Sequence, residues 1–150
     1  MLKNNTSDDS KDKLIWKWLK GAGTTLGELG TPNALTEYTL CLYAGTSSAA
    51  LTIPAGAPSW QTLGSTGFKF KSANGLPDGA QKVILKSGAA GKAKALVKGK
   101  GTYLPDTLAP ALTLPVTVQL VNDSNSTCFE AVYNSGAVIK NTATQFKAKQ

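Results

Sequence analysis

The stretch KVILKSGAAGKAKALVKGKG, residues 82–101, sets six lysines around a glycine-centred break. Ammonium groups at that density bind anions as point charges, with little of the geometric selectivity that a guanidinium fork supplies. With Lys69 and Lys71, the segment 69–100 holds eight lysines and one acid, Asp78, and so carries the whole formal net charge of the chain, +7. In a β-strand, residues i and i+2 share a face. That spacing makes Lys82 and Lys86 flank Ile84 and makes Lys94 and Lys98 flank Leu96, while Val83, Leu85, Ala93, Ala95 and Val97 turn the other way. Lys69 and Lys71 alternate with Phe68 and Phe70 in the same manner. Two uses fit this pattern. The lysines form the wet face of an antiparallel sheet and keep its edges from pairing with other chains, or they form a flat cationic face that attracts a polyanion, such as an acidic polysaccharide, in a salt-dependent way.

Other chemistries find little support. The sixteen basic residues are all lysine, and histidine and arginine are absent. Ser-His-Asp and Cys-His nucleophiles and the usual zinc sites therefore cannot be assembled, and sequence-specific reading of nucleic acid without arginine would be unusual. The nine acids are scattered, with Asp8, Asp9, Asp12, Asp78 and Asp106 in the leader or in turns, and no two are spaced as a glycosidase pair. DDSKD (8–12) lacks the glycine and terminal glutamate of a calcium loop, SGAAGKAK (87–94) lacks the spacing of a phosphate-binding loop, and GAGTTLG (21–27) opens no helix. No catalytic residue, cofactor or metal ligand is assigned. Acceptor-like sequons stand at Asn4, Asn5 and Asn125.

Two smaller sets remain. Cys41 shares strand parity with Thr39 and Tyr43, and Cys128 with Glu130 and Val132, so both lie on the less apolar faces of their strands. A disulfide between them would stabilise by about 4 to 5 kcal/mol on the chain-entropy model; two reduced thiols are the alternative. Trp60, in the Pro- and Gly-rich PAGAPSWQTLGSTG, either plugs the end of a sandwich or is displayed as a sugar-stacking ring, with Tyr103 as a second ring.

The elements that must position these residues are strands. KLIWKWL (13–19), EYTLCLYA (37–44), AALTIPA (49–55), GFKFKS (67–72), QKVILKS (81–87), KAKALVK (92–98), PVTVQLVN (115–122), TCFEAVYN (127–134) and QFKAK (145–149) are short runs rich in β-branched and aromatic residues, bounded by Gly, Pro, Asn or Ser. They predict an all-β fold, an antiparallel β-sandwich or flattened barrel of about eight or nine strands. SGAAG (87–91) reads as a hairpin loop, and YLPDTLAPALTLP (103–115) as a crossing between sheets. Residues 1–11 are polar and read as a flexible leader or linker, leaving 12–150 as one domain. No apolar run reaches the length of a membrane span.

DKLIWKW, EYTLCLYAG, GFKFKSANGLPDGAQKVILKSGAAGKAKALVKGKG, PVTVQLVN, CFEAVY and QFKAK together resemble a family of lysine-rich β-modules found within larger predicted secreted or surface proteins of bacteria. The resemblance runs from about Asp12 to Lys149 and implies an extracellular or cell-surface setting, with no activity attached. The expectation is a non-catalytic structural or adhesive module, or alternatively a carbohydrate-binding module for acidic polysaccharide that uses Lys69, Lys71, Lys82, Lys86, Lys94 and Lys98. Partners would be adjacent domains, anionic polysaccharide or further copies of the chain. KLIWKWL is apolar on both faces, with Leu14, Trp16 and Trp18 on one and Ile15 and Leu19 on the other. It belongs inside a sheet, or, at an edge, it could pair with a neighbouring copy.

Overall fold

A computed structural model describes residues 1–105 and 111–149. They form an all-β, two-sheet antiparallel sandwich. The strands are β1 (Leu2–Lys3), β2 (Lys13–Leu19), β3 (Tyr38–Ala44), β4 (Ser47–Ile53), β5 (Trp60–Thr62), β6 (Gly67–Lys71), β7 (Ala80–Lys86), β8 (Lys94–Lys100), β9 (Val116–Asn122), β10 (Cys128–Tyr133), β11 (Val138–Thr142) and β12 (Gln145–Ala148). One sheet has eight strands in the order β11-β12-β1-β2-β8-β7-β6-β5, and the other has four, β10-β9-β3-β4. The nine runs expected from periodicity are all strands. The three additions, β1, β5 and β11, are short or polar and pair at the flanks of longer strands.

The two sheets share one core. From the wide sheet, β2 turns Leu14, Trp16 and Trp18 inward, β7 Val83 and Leu85, and β8 Ala95 and Val97; from the narrow sheet come Leu40, Leu42, Leu51, Ile53, Val118, Leu120 and Phe129. Aromatic pairs join the layers at three places. Trp18 meets Phe129 edge-on with ring centroids 5.0 Å apart. Phe146 on β12 meets Tyr133 at 6.5 Å. Trp60 on β5 lies between Tyr38 and Phe70, at 6.1 and 5.3 Å. Such contacts add to area burial when the rings are edge-on or offset. The β3–β4 hairpin closes through Gly45 and Thr46 between the paired Ala44 and Ser47. Gly45 has φ +62, and a Cβ there would press on Thr113 at 3.0 Å, so glycine is required at this first position of the turn.

Within residues 1–11, expected as a flexible leader, Leu2–Lys3 form β1 of the wide sheet. Leu2 pairs with Leu14 on one side and Phe146 on the other, and the Ile15 amide donates to the Met1 carbonyl at 2.8 Å. The link from β1 to β2 is ordered by carboxylates. Asp8 caps a 3-10 turn at Asp9–Lys11, and buried Asp12 accepts the Asn5 amide at 2.6 Å. Polar composition suggested disorder because those backbone partners are invisible in the local sequence. The first long strand, β2, is internal. It pairs with β8 along its whole length and with the opening segment along its first half. Leu14, Trp16 and Trp18 are buried in the core and Ile15 is half-buried on the outer face.

The expected crossing at 103–115 does join a strand of the wide sheet, β8, to one of the narrow sheet, β9. Asp106 and its neighbours to residue 110 lie outside the described residues. Leu104 and Leu112 are buried, and Leu112 exchanges backbone hydrogen bonds with the Asn141 side chain at 2.8 Å in each direction.

Truncation of Trp60 to alanine removes a side chain that is 1% exposed and touches two other rings. W60A is expected to lose about 3 to 5 kcal/mol of stability in urea denaturation. Tyr38 supplies a pH signature. It is fully buried, its hydroxyl donates to the Leu29 carbonyl at 2.9 Å, and burial holds its phenol well above the ordinary value of 10. A raised phenol leaves the unfolded chain to ionise first, so stability held below pH 10 falls as pH rises past it, by about 1.4 kcal/mol per pH unit from this group. Y38F should start less stable, with the Leu29 carbonyl unpaired, and lose stability less steeply between pH 10 and 12 in urea titrations.

Candidate functional site: a lysine-covered sheet face

The register of the wide sheet brings its lysines onto one surface. On the outer face, β2 presents Lys13, Ile15, Lys17 and Leu19; β8 presents Lys94, Leu96, Lys98 and Lys100; β7 presents Lys82, Ile84 and Lys86; and β6 presents Lys69 and Lys71. Cross-strand pairing adds Lys3 from β1, opposite Lys13, and Lys140 and Lys147 from β11 and β12, opposite each other. Twelve of the sixteen lysines thus share this face, and none of the eight strands contains an acidic residue.

Many of these lysines are direct neighbours. Lys82 is opposite both Lys98 and Lys71, Lys86 is opposite Lys94, and Lys13 is opposite both Lys100 and Lys3. Like charges directly across a sheet destabilise it. Among the described residues, no acid on these strands offsets them. The one ion pair among the described residues, Lys11 to Asp8 at 2.9 Å, lies in the β1–β2 connection. Asp78, the acid inside the lysine-rich segment, is turned to the narrow sheet, where it accepts the Thr52 amide at 2.8 Å. The outer face of the narrow sheet is the opposite in character: β3, β9 and β10 present Thr39, Cys41, Tyr43, Thr117, Gln119, Val121, Cys128, Glu130 and Val132, and no lysine.

All six of the expected face residues, Lys69, Lys71, Lys82, Lys86, Lys94 and Lys98, lie here together. Six more were not singled out. Lys13 and Lys17 were readable from alternation in KLIWKWL, and Lys100 continues the parity of Lys94 and Lys98. Lys3, Lys140 and Lys147 had no local signal, because only the pairing of β1, β11 and β12 with distant segments puts them on this sheet.

The other candidates separate. Trp60 is no sugar platform: it is buried, and its indole donates to the Pro54 carbonyl at 2.9 Å. Tyr103 is exposed in the turn after β8 and has no partner ring in Trp60. Cys41 and Cys128 are both free thiols. They share the outer face of the narrow sheet, as parity implied, but β9 runs between their strands, with Gln119 opposite Cys41 and Val121 opposite Cys128. Two strand spacings, about 9.6 Å, exceed the reach of a disulfide. Burial, and then Glu130, push the Cys128 thiol up, away from the reactive thiolate. Of the sequon residues, Asn125 is exposed, with its side chain accepting the Thr127 amide at 2.8 Å.

Among the described residues, no group of three or more Cys, Asp or Glu side chains converges as metal ligands, and no helix is long and apolar enough to cross a membrane. A slot between the sheets, lined by Leu2, Leu14, Trp16, Leu42, Tyr133 and Phe146, holds about 30 Å³, room for little more than water.

Uncompensated lysines make the protein's stability respond to salt in a characteristic direction. Raising NaCl from 10 to 500 mM shortens the screening length from about 30 Å to a few Å, and the melting temperature should rise. K82Q/K98Q, which removes a repelling pair, should be more stable than wild type at low salt by about 0.5 kcal/mol and should gain less from added salt in thermal denaturation.

Comparison with protein-family models, curated proteins and solved structures finds no match for this chain.

Proposed function

We propose that the protein is a non-catalytic binding module that holds an anionic polysaccharide on the outer face of its eight-stranded sheet. In the extracellular or cell-surface setting implied by its resemblance, it would serve as an adhesive or structural part of a larger protein. The observation that carries this reading is the sorting of charge: among the described residues, the strands of one face carry twelve lysines and no acid, with like charges in register across strands. Repulsion of that kind weakens the free protein and is relieved when a polyanion lies on the face, so part of the binding free energy comes from removing it. Lysine in place of arginine suits a partner recognised by charge density rather than by the shape of one group. A catalytic role has nothing comparable behind it, since the acids among the described residues lie in connections or on the narrow sheet.

Affinity chromatography on heparin, alginate and a neutral glucan tests the reading. The protein should be retained on the first two at 20 mM NaCl and elute as salt rises, the counterion-release behaviour of a polyelectrolyte contact. It should pass the neutral glucan. K82E/K86E/K94E/K98E should lose at least about a hundredfold in affinity for alginate, four charge reversals at roughly 1 kcal/mol each or more. Indifference of the wild type to both acidic columns, or wild-type retention of the reversed variant, would refute it. Retention of duplex DNA with equal or greater salt resistance would move the assignment to a general polyanion binder.

A further inference from the structure

At the centre of the lysine face the register builds a defined arrangement. Ile84 and Leu96 are directly opposite each other on β7 and β8, both half-buried, and make an aliphatic floor. Lys86 and Lys94, themselves paired, lie two residues along their strands on one side, and the paired Lys82 and Lys98 lie two residues along on the other. Laterally, Lys17 of β2 is opposite Leu96, and Lys69 of β6 is opposite Ile84. Six ammonium-bearing positions therefore surround a two-residue apolar floor, in a ring about 14 Å across in each direction by strand geometry. Aromatic residues of these strands point the other way: Trp16, Trp18, Phe68 and Phe70 are all buried.

Resting on the polysaccharide reading above, we infer that this ring is a sugar subsite selective for uronic acid residues. A pyranose ring carries an apolar face of axial C–H groups and, in a uronic acid, a carboxylate at its edge. Laid on Ile84 and Leu96, such a ring buries its C–H face while its own carboxylate and those of adjoining sugars reach the surrounding lysines. The aliphatic floor contributes in proportion to apolar area and independently of salt, whereas the lysine contacts weaken as salt rises. A polyanion with no apolar face, such as inorganic polyphosphate, gains only the second component. The site thus separates carbohydrate from phosphate polymers by a difference that charge alone would not provide.

The experiment compares full-length wild type, I84T/L96T and K82Q/K98Q by calorimetric titration with an oligogalacturonate and with polyphosphate of matched charge, from 20 to 400 mM NaCl. Wild type should favour the oligogalacturonate increasingly as salt rises. I84T/L96T should lose about tenfold for the oligogalacturonate, the effect of unburying a few tens of Å² of apolar surface on both partners, with an unchanged salt slope and unchanged polyphosphate binding. K82Q/K98Q should lower the salt slope for both polymers. I84L/L96I keeps an aliphatic floor and should bind as wild type, which separates loss of the floor from damage to the sheet. Equal wild-type affinity for the two polymers at all salts, or an I84T/L96T variant indistinguishable from wild type, would overturn the subsite while leaving polyanion binding intact. Failure of wild type to bind either polymer at 20 mM NaCl would overturn both.

Discussion

A four-stranded sheet cannot cover an eight-stranded one, and much of this structure follows from that mismatch. Buried on one face only, the wide sheet must find cover for its inner side beyond the reach of β10-β9-β3-β4. Large rings supply it at the flanks. Trp60, on the last strand of one end, reaches Tyr38, and Phe146, near the other end, reaches Tyr133, while Trp18 and Phe129 join the middle. Leu29, Leu104 and Leu112 fold in from connections to close the remaining gaps. A tryptophan in a glycine- and proline-rich segment thereby becomes a core residue, because the flank of a wide sheet needs bulk that strands alone do not bring.

The same mismatch enlarges the outer face. Every residue added to the wide sheet to meet the core brings a neighbour that faces water, since alternate side chains point to opposite sides. In β2, β6, β7 and β8 that neighbour is repeatedly lysine. Long lysine stems cover aliphatic surface while their ammonium groups stay hydrated, which accommodates Ile15, Ile84 and Leu96 on the solvent side. What this does not explain is the lack of carboxylates. A surface selected for solubility and cross-strand stability alone would mix the two signs, and the narrow sheet, the turns and the β1–β2 connection do receive acids. That segregation is the observation on which the proposal of an anionic partner rests.

Alternation and turn composition alone revealed the nine longer strands, the inward set Val83, Leu85, Ala95 and Val97, and the outward position of Lys82, Lys86, Lys94 and Lys98. Period two is a local property, and a strand's two faces are distinguishable wherever one is apolar. The shared outward parity of Cys41 and Cys128 was legible for the same reason. Their separation by β9 was not, since parity says which face a residue occupies and nothing about which strands are neighbours.

What the sequence by itself determined was therefore the class of fold, the partition of each long strand into core and solvent faces, and the absence of histidine and arginine. Tertiary structure alone decided the strand order, and with it every property that depends on lateral neighbours. Residues 2–3 became a strand because Leu14 and Phe146, more than a hundred residues apart, flank Leu2. Lys140 and Lys147 joined the cationic face because β12 pairs with β1, and the ring of six lysines around Ile84 and Leu96 exists only in the register of four adjacent strands. The physical reason is one of range. Side-chain alternation is imposed by the backbone within a few bonds, whereas pairing is chosen by the burial and hydrogen bonding of the whole sheet.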